Sequence, residues 1–229
     1  MDVLKQLADM PLFQGLTPEH HKQLASIAVR KSFKKKQTIF AEGDAGDGFY
    51  LVISGRVKVF KISREGKEQI LHIIGPGEPF GEVPVFSGAH FPAHAQAMEE
   101  IKSFFIPRRA FIDLIKKNPS LAMNMLAVLS VRLRRFSALV EDLSLKEVPG
   151  RLSAYLLYLS ETGGRSPHLT LDISKTQLAS LLGTIPETLS RILARMSSED
   201  LIASQGQRTI KILDREGLKA LAGGARRLA

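Results

Sequence analysis

The sequence predicts an α+β chain in which an antiparallel β-barrel, built as a roll of two sheets, precedes a long helix and a winged helix-turn-helix. Three observations carry this prediction. Short apolar or alternating runs separated by turn residues fill residues 31–107, which is typical of a closed antiparallel barrel. An apolar stripe at helical spacing then extends from Leu121 to Leu143. Two short helical patterns followed by a β-hairpin lie in the C-terminal third.

Length and composition fit this organisation. The 229 residues suit two units of roughly 100 residues each. We predict a barrel domain with N-terminal helices at residues 1–117, a dimerisation helix at 118–143 and a winged helix-turn-helix domain at 144–229. The formal charge of +9 favours polyanionic partners. Cysteine is absent, which excludes disulfides, thiol catalysis and any cysteine-ligated metal centre.

The N-terminal segment is helical in pattern and polar enough to argue against membrane insertion. Thr17-Pro18-Glu19 predicts a helix start, with a cap, a first-turn proline and an acid at the positive end of the helix dipole. The first residues, MDVLKQLADMPLF, contain acids and no sustained apolar run, so they match neither a signal peptide nor a membrane span. We therefore expect a cytoplasmic protein without a membrane partner.

The barrel strands follow from their period and from the turns between them. The clearest strand patterns are residues 49–53, 56–62 and 69–74, and the turn signals around them are Gly43-Asp44, Ser54-Gly55, Arg64-Glu65-Gly66 and Gly75-Pro76-Gly77. The interior of such a barrel can hold solvent, its own side chains or a ligand.

The long helix has more apolar surface than one contact with a small barrel needs. Its stripe contains Leu121, Met125, Leu126, Leu129, Leu133, Phe136, Leu139, Val140 and Leu143. This length favours a helix that pairs with a second copy of itself, and a single core helix is the alternative. We expect Arg132, Arg134 and Arg135 to be solvated beside the stripe, with DNA phosphates as their alternative partners.

The sequence between the two C-terminal helical patterns contains residues that end one helix and begin the next. Gly183 ends the first helix, Pro186 suits the first turn of the second, and Thr184 is predicted as its N-cap with Glu187 as the capping-box partner. By itself this pattern also fits an ordinary helical hairpin. The β-hairpin behind it, which turns at Gln205-Gly206, makes the arrangement a winged helix.

These parts together resemble the Crp/Fnr transcription regulators. The resemblance is carried by EGDAGDGFYLVISGRVKVF and PGEPFGEV in the barrel, by the long helix and by PETLSRIL in the winged helix, and it covers residues 12–221. It implies a cyclic-nucleotide-binding-like barrel and a homodimer that binds palindromic double-stranded DNA and RNA polymerase. MPLFQGL, LSLKEVPGRLSAYLL and ILDREGLKAL are most similar to the Dnr/HcpR branch, which responds to nitric oxide or nitrosative stress and for which haem is the implied sensor.

The resemblance also implies which residues read DNA. Glu187, Ser190 and Arg191 match the family's E-T-x-S-R helix, whose Glu, Ser and Arg lie in the major groove. Arg191 suits guanine O6 and N7 together, and Glu187 suits the amino group of cytosine or adenine. Ser190 makes the motif Fnr-like, so we expect half-sites that begin TTG; Pro186 departs from the family and leaves the inner bases open. The expected phosphate contacts are Ser174, Lys175, Thr176, Thr188 and Arg208.

Residues that depart from the family pattern limit which effectors this chain can bind. Members that bind cyclic AMP carry an Arg-Ser pair after a Gly-Glu motif. Gly81 and Glu82 are present here, but Phe91 and Pro92 fall on the Arg and Ser positions. Neither residue can neutralise a phosphate, so we do not expect cyclic AMP to bind. The absence of cysteine excludes the iron–sulfur cluster of the oxygen-sensing members.

A haem responding to nitric oxide is the effector that we expect instead. The predicted effector pocket consists of Leu71, His72, Phe80, Gly81, Glu82, Phe91 and Met125. The candidate iron ligands are His72, His90 and His94, each of which has a structural or surface role as its alternative. Pro92 argues against a helix that would bring His90 and His94 together on one metal.

Other interpretations stay open at this point. The barrel of such a regulator can take a different small molecule that is not a cyclic nucleotide, or it can work without a ligand. A sensory module without DNA function is the remote alternative. No enzyme pattern is present, because the glycines of GPGEPFG lie between strands rather than before a helix.

Overall fold

A computed structural model describes residues 3–88, 90–206 and 208–228 and confirms the predicted fold class. The chain forms two compact units, Met1–Arg134 and Arg135–Ala229. The boundary between them falls inside the long helix α5 (Pro119–Leu145). Among the described residues, no helix has the length and apolarity to cross a bilayer.

The N-terminal unit begins with helices whose starts follow the sequence signals. α1 (Val3–Ala8) and α2 (Pro18–Ile27) are separated by a 3-10 turn, and the Thr17 hydroxyl accepts a hydrogen bond from the backbone N–H of His20 at 3.3 Å. This confirms the predicted cap of α2.

In the described part of the N-terminal unit, eight strands form two antiparallel sheets. The strands are β1 (Val29–Phe33), β2 (Thr38–Phe40), β3 (Gly48–Ser54), β4 (Val57–Ile62), β5 (Glu68–Ile74), β6 (Pro79–Phe80), β7 (His94–Ala97) and β8 (Ile101–Pro107). The strand order is β1-β8-β3-β6 in one sheet and β2-β7-β4-β5 in the other. The same unit also contains α3 (Val83–Ser87) between β6 and β7 and α4 (Arg108–Lys117) after β8.

Two separate hydrophobic cores hold this unit together. One lies between the sheets and includes Phe40, Val52, Phe80 and Phe91; the other joins the helices to the sheet that contains β3 and β8. Met125 belongs to the second core. The prediction that Met125 lines one pocket with Phe80 and Phe91 is therefore wrong, because Met125 packs on the helical side of the sheet.

α5 has two apolar faces rather than one. Leu121 and Met125 are buried against the barrel unit, whereas Met123, Leu126 and Leu133 are 65%, 56% and 67% exposed. The predicted stripe therefore divides between an intramolecular contact and an uncovered surface.

The C-terminal unit is the predicted winged helix-turn-helix. It contains α6 (Val148–Thr162), β9 (His168–Thr170), α7 (Lys175–Leu181), α8 (Pro186–Ser198), β10 (Ile202–Gln205), β11 (Thr209–Ile212) and α9 (Arg215–Ala222). The three strands form an antiparallel sheet in the order β10-β11-β9.

The turn between α7 and α8 differs from the prediction by one residue. Gly183 follows α7 with a φ of +68°, which glycine adopts readily. The N-cap of α8 is Ile185, and it makes no side-chain capping bond. Thr184 is instead part of the turn that closes α7, since its N–H donates to Ala179 O at 2.9 Å. Ile185 is extended because a residue before proline avoids the helical region.

Candidate nucleic-acid interface and barrel interior

α8 is amphipathic, with a buried apolar face and an exposed polar face. Leu189, Ile192, Leu193 and Met196 are buried in the C-terminal unit. Glu187, Ser190 and Arg191 are all exposed, and their spacing of three and four residues places them together on the opposite face. The structure thus brings the three predicted base-reading residues together on one solvent-facing surface.

The Arg191 side chain is hydrogen-bonded to Thr188. Its Nη2 donates to Thr188 Oγ1 at 3.2 Å, and within the described chain Arg191 makes no ion pair with Glu187. Glu187 stands in the first turn of α8, where the helix dipole favours a carboxylate without any partner.

The face of α8 continues one turn beyond the predicted residues. Arg195 is exposed four positions after Arg191, and its Nη2 donates to the Leu228 carbonyl at 3.3 Å. The spacing of two arginines at positions i and i+4 of a helix is the sequence signal for this extension of the polar face.

The start of α7 presents the predicted phosphate-contacting residues. Ser174 and Gln177 form a capping box, in which Ser174 Oγ accepts from Gln177 N at 3.2 Å and Gln177 Oε1 accepts from Ser174 N at 2.9 Å. Lys175 and Thr176 are exposed beside this cap. A helix N-terminus with a lysine suits a phosphate group.

The wing is anchored by its backbone and directs Arg208 to solvent. Arg208 O accepts a hydrogen bond from Leu171 N at 2.7 Å, and the Arg208 side chain is exposed. The contact of Arg208 with a phosphate stays a prediction.

Aromatic rings fill the space between the two barrel sheets. The rings of Phe40 and Phe91 are stacked with centroids 3.8 Å apart, and Tyr50 and Phe80 stack at 5.1 Å. Burial raises the pKa of the Tyr50 hydroxyl above its ordinary value, because the charged phenolate is disfavoured away from water. Side chains of the protein itself thus occupy this part of the interior.

A buried ion pair joins α5 to the Gly-Glu segment. Arg132 pairs through Nη1 with Glu82 and donates through Nη2 to the Pro79 carbonyl at 2.6 Å. The two side chains are only 13% and 7% exposed. The expectation that Arg132 is solvated is wrong, since a carboxylate buried as deeply as Glu82 needs a cation nearby.

Gly81 of the predicted effector pocket lies beside this ion pair, where there is little room for a side chain. Gly81 has a φ of +73°, and an added Cβ there would lie 3.0 Å from the Phe40 ring and 3.1 Å from the Phe91 ring. Gly81, Glu82, Phe80 and Phe91 therefore lie together, as predicted.

The remaining pocket residues and the candidate iron ligands are dispersed. Leu71 and His72 are half-buried on β5, outside the interior cluster. His94 on β7 is half-buried, and its Nδ1 accepts from Glu42 N at 3.2 Å. His90 is exposed and lines a cavity of about 210 Å³ that also includes Arg108. Among the described residues, no three His, Asp or Glu side chains form a metal-binding group.

Comparisons with known proteins agree with both units. Residues 30–118 match the cyclic nucleotide-binding domain family, and residues 150–221 match the Crp-like helix-turn-helix domain family. The chain is 32% identical to the CRP-like cAMP-activated global transcriptional regulator of Mycobacterium tuberculosis, over 93% of this chain and 96% of that one. It is 33% identical to the fumarate and nitrate reduction regulatory protein of Salmonella typhimurium, over 90% and 84% of the two chains. Both relatives are regulators rather than enzymes.

A solved structure shows the same fold. FixK2 from Bradyrhizobium japonicum superimposes with a TM-score of 0.74 at 24% identity, over 85% of this chain and 97% of that one.

Proposed function

We propose that this chain, which belongs to the Crp/Fnr family of DNA-binding transcription regulators, acts as a homodimer on palindromic operators whose half-sites begin TTG. The observation that carries the proposal is the exposed face of α8, where Glu187, Ser190 and Arg191 lie together on a helix held by four buried apolar residues. Arg191 is the residue that we assign to the guanine of each half-site, because its guanidinium can donate to O6 and N7 together.

The exposed face of α5 supports the homodimer. Met123, Leu126, Leu133 and Val140 are all more than half exposed. Together with Ser130 and Ser137 they repeat at alternating intervals of three and four residues, which is the a/d spacing of a coiled coil. Two copies of α5 packed along this seam would place two copies of α8 about a two-fold axis, as a palindrome requires.

The dimer is tested by placing a charge on the seam. Leu133→Lys should shift the sedimentation profile of the protein to the monomer. Val131→Lys is the matched control, because Val131 is an exposed apolar residue of the same helix that lies off the seam, and this variant should stay dimeric. A dimeric Leu133→Lys protein would contradict the proposed interface.

The operator is tested by fluorescence anisotropy on three duplexes: a TTG palindrome, the same duplex with one half-site scrambled, and one with the guanine of each half-site replaced. Both altered duplexes should bind more weakly. Replacing one guanine–arginine contact should cost about 1–3 kcal/mol per half-site. Equal binding to all three duplexes would contradict specific readout.

For the effector, we propose that the barrel does not take a cyclic nucleotide. Support comes from Phe91, which is 6% exposed and stacked on Phe40 where the cyclic-AMP-binding members carry Arg, and from Glu82, which is already paired with Arg132. Cyclic AMP should therefore release no saturable heat in a titration, and a saturable titration would contradict this part of the proposal.

Haem remains the proposed sensor of nitric oxide, and its support is the resemblance to the Dnr/HcpR branch together with the exposed imidazole of His90 on the barrel unit. A haem does not fit between the sheets as they are packed, because the Phe40 and Phe91 rings are in contact there. His90 is exposed on the barrel surface, and Arg108 beside it offers a cation for a propionate group. Iron bound at His90 would supply the site that takes nitric oxide.

The haem proposal is tested by titrating the protein with hemin. A saturable Soret band should develop in the wild type and in His72→Ala and His94→Ala, and it should be lost in His90→Ala. Nitric oxide should then change operator binding by the loaded protein. If no saturable band develops, or if nitric oxide leaves operator binding unchanged, the haem proposal fails.

A barrel that works without a ligand is the second candidate, and two observations favour it: aromatic side chains fill the space between the sheets, and Glu82 is already paired with Arg132. In this case the purified, haem-free protein should bind its operator at full affinity. Hemin should then leave the affinity unchanged.

A further inference from the structure

A groove in the C-terminal unit takes no part in the proposed DNA contact. It has a volume of about 300 Å³ and lies between the end of α5, α6 and the end of α7. Leu139, Ala154, Tyr158 and Leu182 supply mainly apolar walls, and Asp142 and Arg151 lie at the polar side. This combination of apolar walls and a few polar groups is typical of small-molecule sites, and the volume is at the lower end of their range.

Arg151 gives the groove a cation that is fixed in place. Its Nη1 donates to the Lys146 carbonyl at 2.8 Å and to the Leu143 carbonyl at 3.4 Å, while its Nε is buried and has no hydrogen-bond partner among the described residues. Burial lowers the pKa of the Arg151 guanidinium, and the Asp142 carboxylate partly offsets this. An anion bound in the groove would interact favourably with this guanidinium through its charge.

The acid in the groove is already neutralised. Asp142 pairs with Lys146 at 2.6 Å. Two arginines, Arg135 and Arg151, line the same groove. The groove therefore has more positive than negative charge, which favours an anion.

The groove also stays open in the proposed dimer. At 3.6 residues per turn, Asp142 projects about 160° around α5 from Val140, which lies on the seam. A second copy of α5 packed on the seam therefore leaves the groove uncovered.

We propose that this groove binds a small amphipathic carboxylate, with its apolar chain against Leu139, Ala154 and Leu182 and its carboxylate on Arg151. The chemistry of the lining decides the class of ligand. Apolar walls of this size take a short hydrocarbon chain or ring, and a guanidinium takes a carboxylate through charge-assisted hydrogen bonds. The site is independent of the barrel effector.

The test is isothermal titration of the full chain with octanoate and, separately, with octanol, which has the same chain length and no charge. Octanoate should bind saturably and about tenfold more tightly than octanol. Arg151→Met should reduce octanoate affinity to that of octanol, and Arg151→Lys should retain part of the difference.

Arg151 also holds the end of α5, so a second variant tests the groove without removing its cation. Ala154→Phe should fill the groove and weaken both ligands. Ala194→Phe, at an exposed alanine of α8, is the matched control and should bind octanoate as the wild type does. Thermal melts check that each variant is folded.

The proposal is overturned if octanoate gives no saturable heat, if octanol binds equally well, or if Ala154→Phe binds octanoate unchanged. Operator binding is measured on the wild type without octanoate. Failure of the groove and failure of the proposed operator readout are therefore distinguishable.

Discussion

The N-terminal unit and the exposed face of α8 differ in whether their polar side chains are buried. In the N-terminal unit, Glu82 and Arg132 are buried against each other. On α8, Glu187, Ser190 and Arg191 are exposed to solvent. A surface that binds a polyanion can keep its side chains hydrated until DNA binds, whereas polar groups buried inside a folded unit need partners within the protein.

This difference separates two kinds of consequence. Substitutions in the barrel should change the stability of the folded protein, because they break contacts that already exist. Substitutions on α8 should change DNA affinity with little effect on stability, because surface side chains contribute little to folding.

Arg132→Ala should give the largest effect, a loss of about 3–5 kcal/mol in the free energy of unfolding. The variant leaves the Glu82 carboxylate buried without its cation. Urea denaturation measures the loss. Arg134→Ala, on the exposed side of the same helix, is the control and should change stability by less than about 0.5 kcal/mol.

A second substitution tests whether the loss comes from the unpaired charge. Arg132→Met combined with Glu82→Gln removes both charges and should recover much of the stability. If Arg132→Ala lowered the free energy of unfolding no more than Arg134→Ala does, the Glu82–Arg132 pair would be solvated. This result would contradict the proposed difference between the two regions.

Arg191→Ala should lower operator affinity by about 1–3 kcal/mol and relax the preference for guanine. The melting temperature should be unchanged, since the side chain is exposed and its hydrogen bond goes to a neighbour on the same helix, Thr188. Anisotropy titrations on operator and guanine-substituted duplexes measure both effects. Lys219→Ala on α9 is the control, and it should bind as the wild type does; unchanged selectivity in Arg191→Ala would contradict its assignment.

The sequence was sufficient to predict local features but not long-range contacts. The fold class and the grouping of Glu187, Ser190 and Arg191 followed from period and spacing within a few turns. The Glu82–Arg132 pair joins residues 50 positions apart, so it depends on how α5 packs on the barrel. Helical period likewise predicted the apolar stripe of α5 but not which side meets the barrel.

The helix caps were also predicted only in part from the sequence. Ser174 was predicted as a phosphate contact, and the structure places its hydroxyl in a capping box with Gln177. Thr184 was predicted as the cap of α8, but backbone geometry before Pro186 gives that position to Ile185. Residue type alone does not decide which of two adjacent residues is the N-cap of a helix.

Ser174→Ala should cost about 1 kcal/mol of stability through the lost cap of α7. Thr17→Ala removes the equivalent cap of α2 in the barrel unit and should cost a similar amount. Only Ser174→Ala should also weaken operator binding, because α7 belongs to the DNA-binding unit. Equal DNA affinities for the two variants would show that the Ser174 hydroxyl acts on folding alone.

Arg208→Ala should have the smallest effect, and the effect should be independent of sequence. Arg208 is exposed on the wing, and a single phosphate contact contributes through the release of counterions rather than through base readout. The slope of log K against log salt should become shallower by about 1 on operator and on scrambled DNA alike. Arg64→Ala, at an exposed arginine of the barrel unit, should leave both slopes unchanged. An equal change in slope for Arg64→Ala would place the barrel surface on DNA and remove the distinction between the two regions.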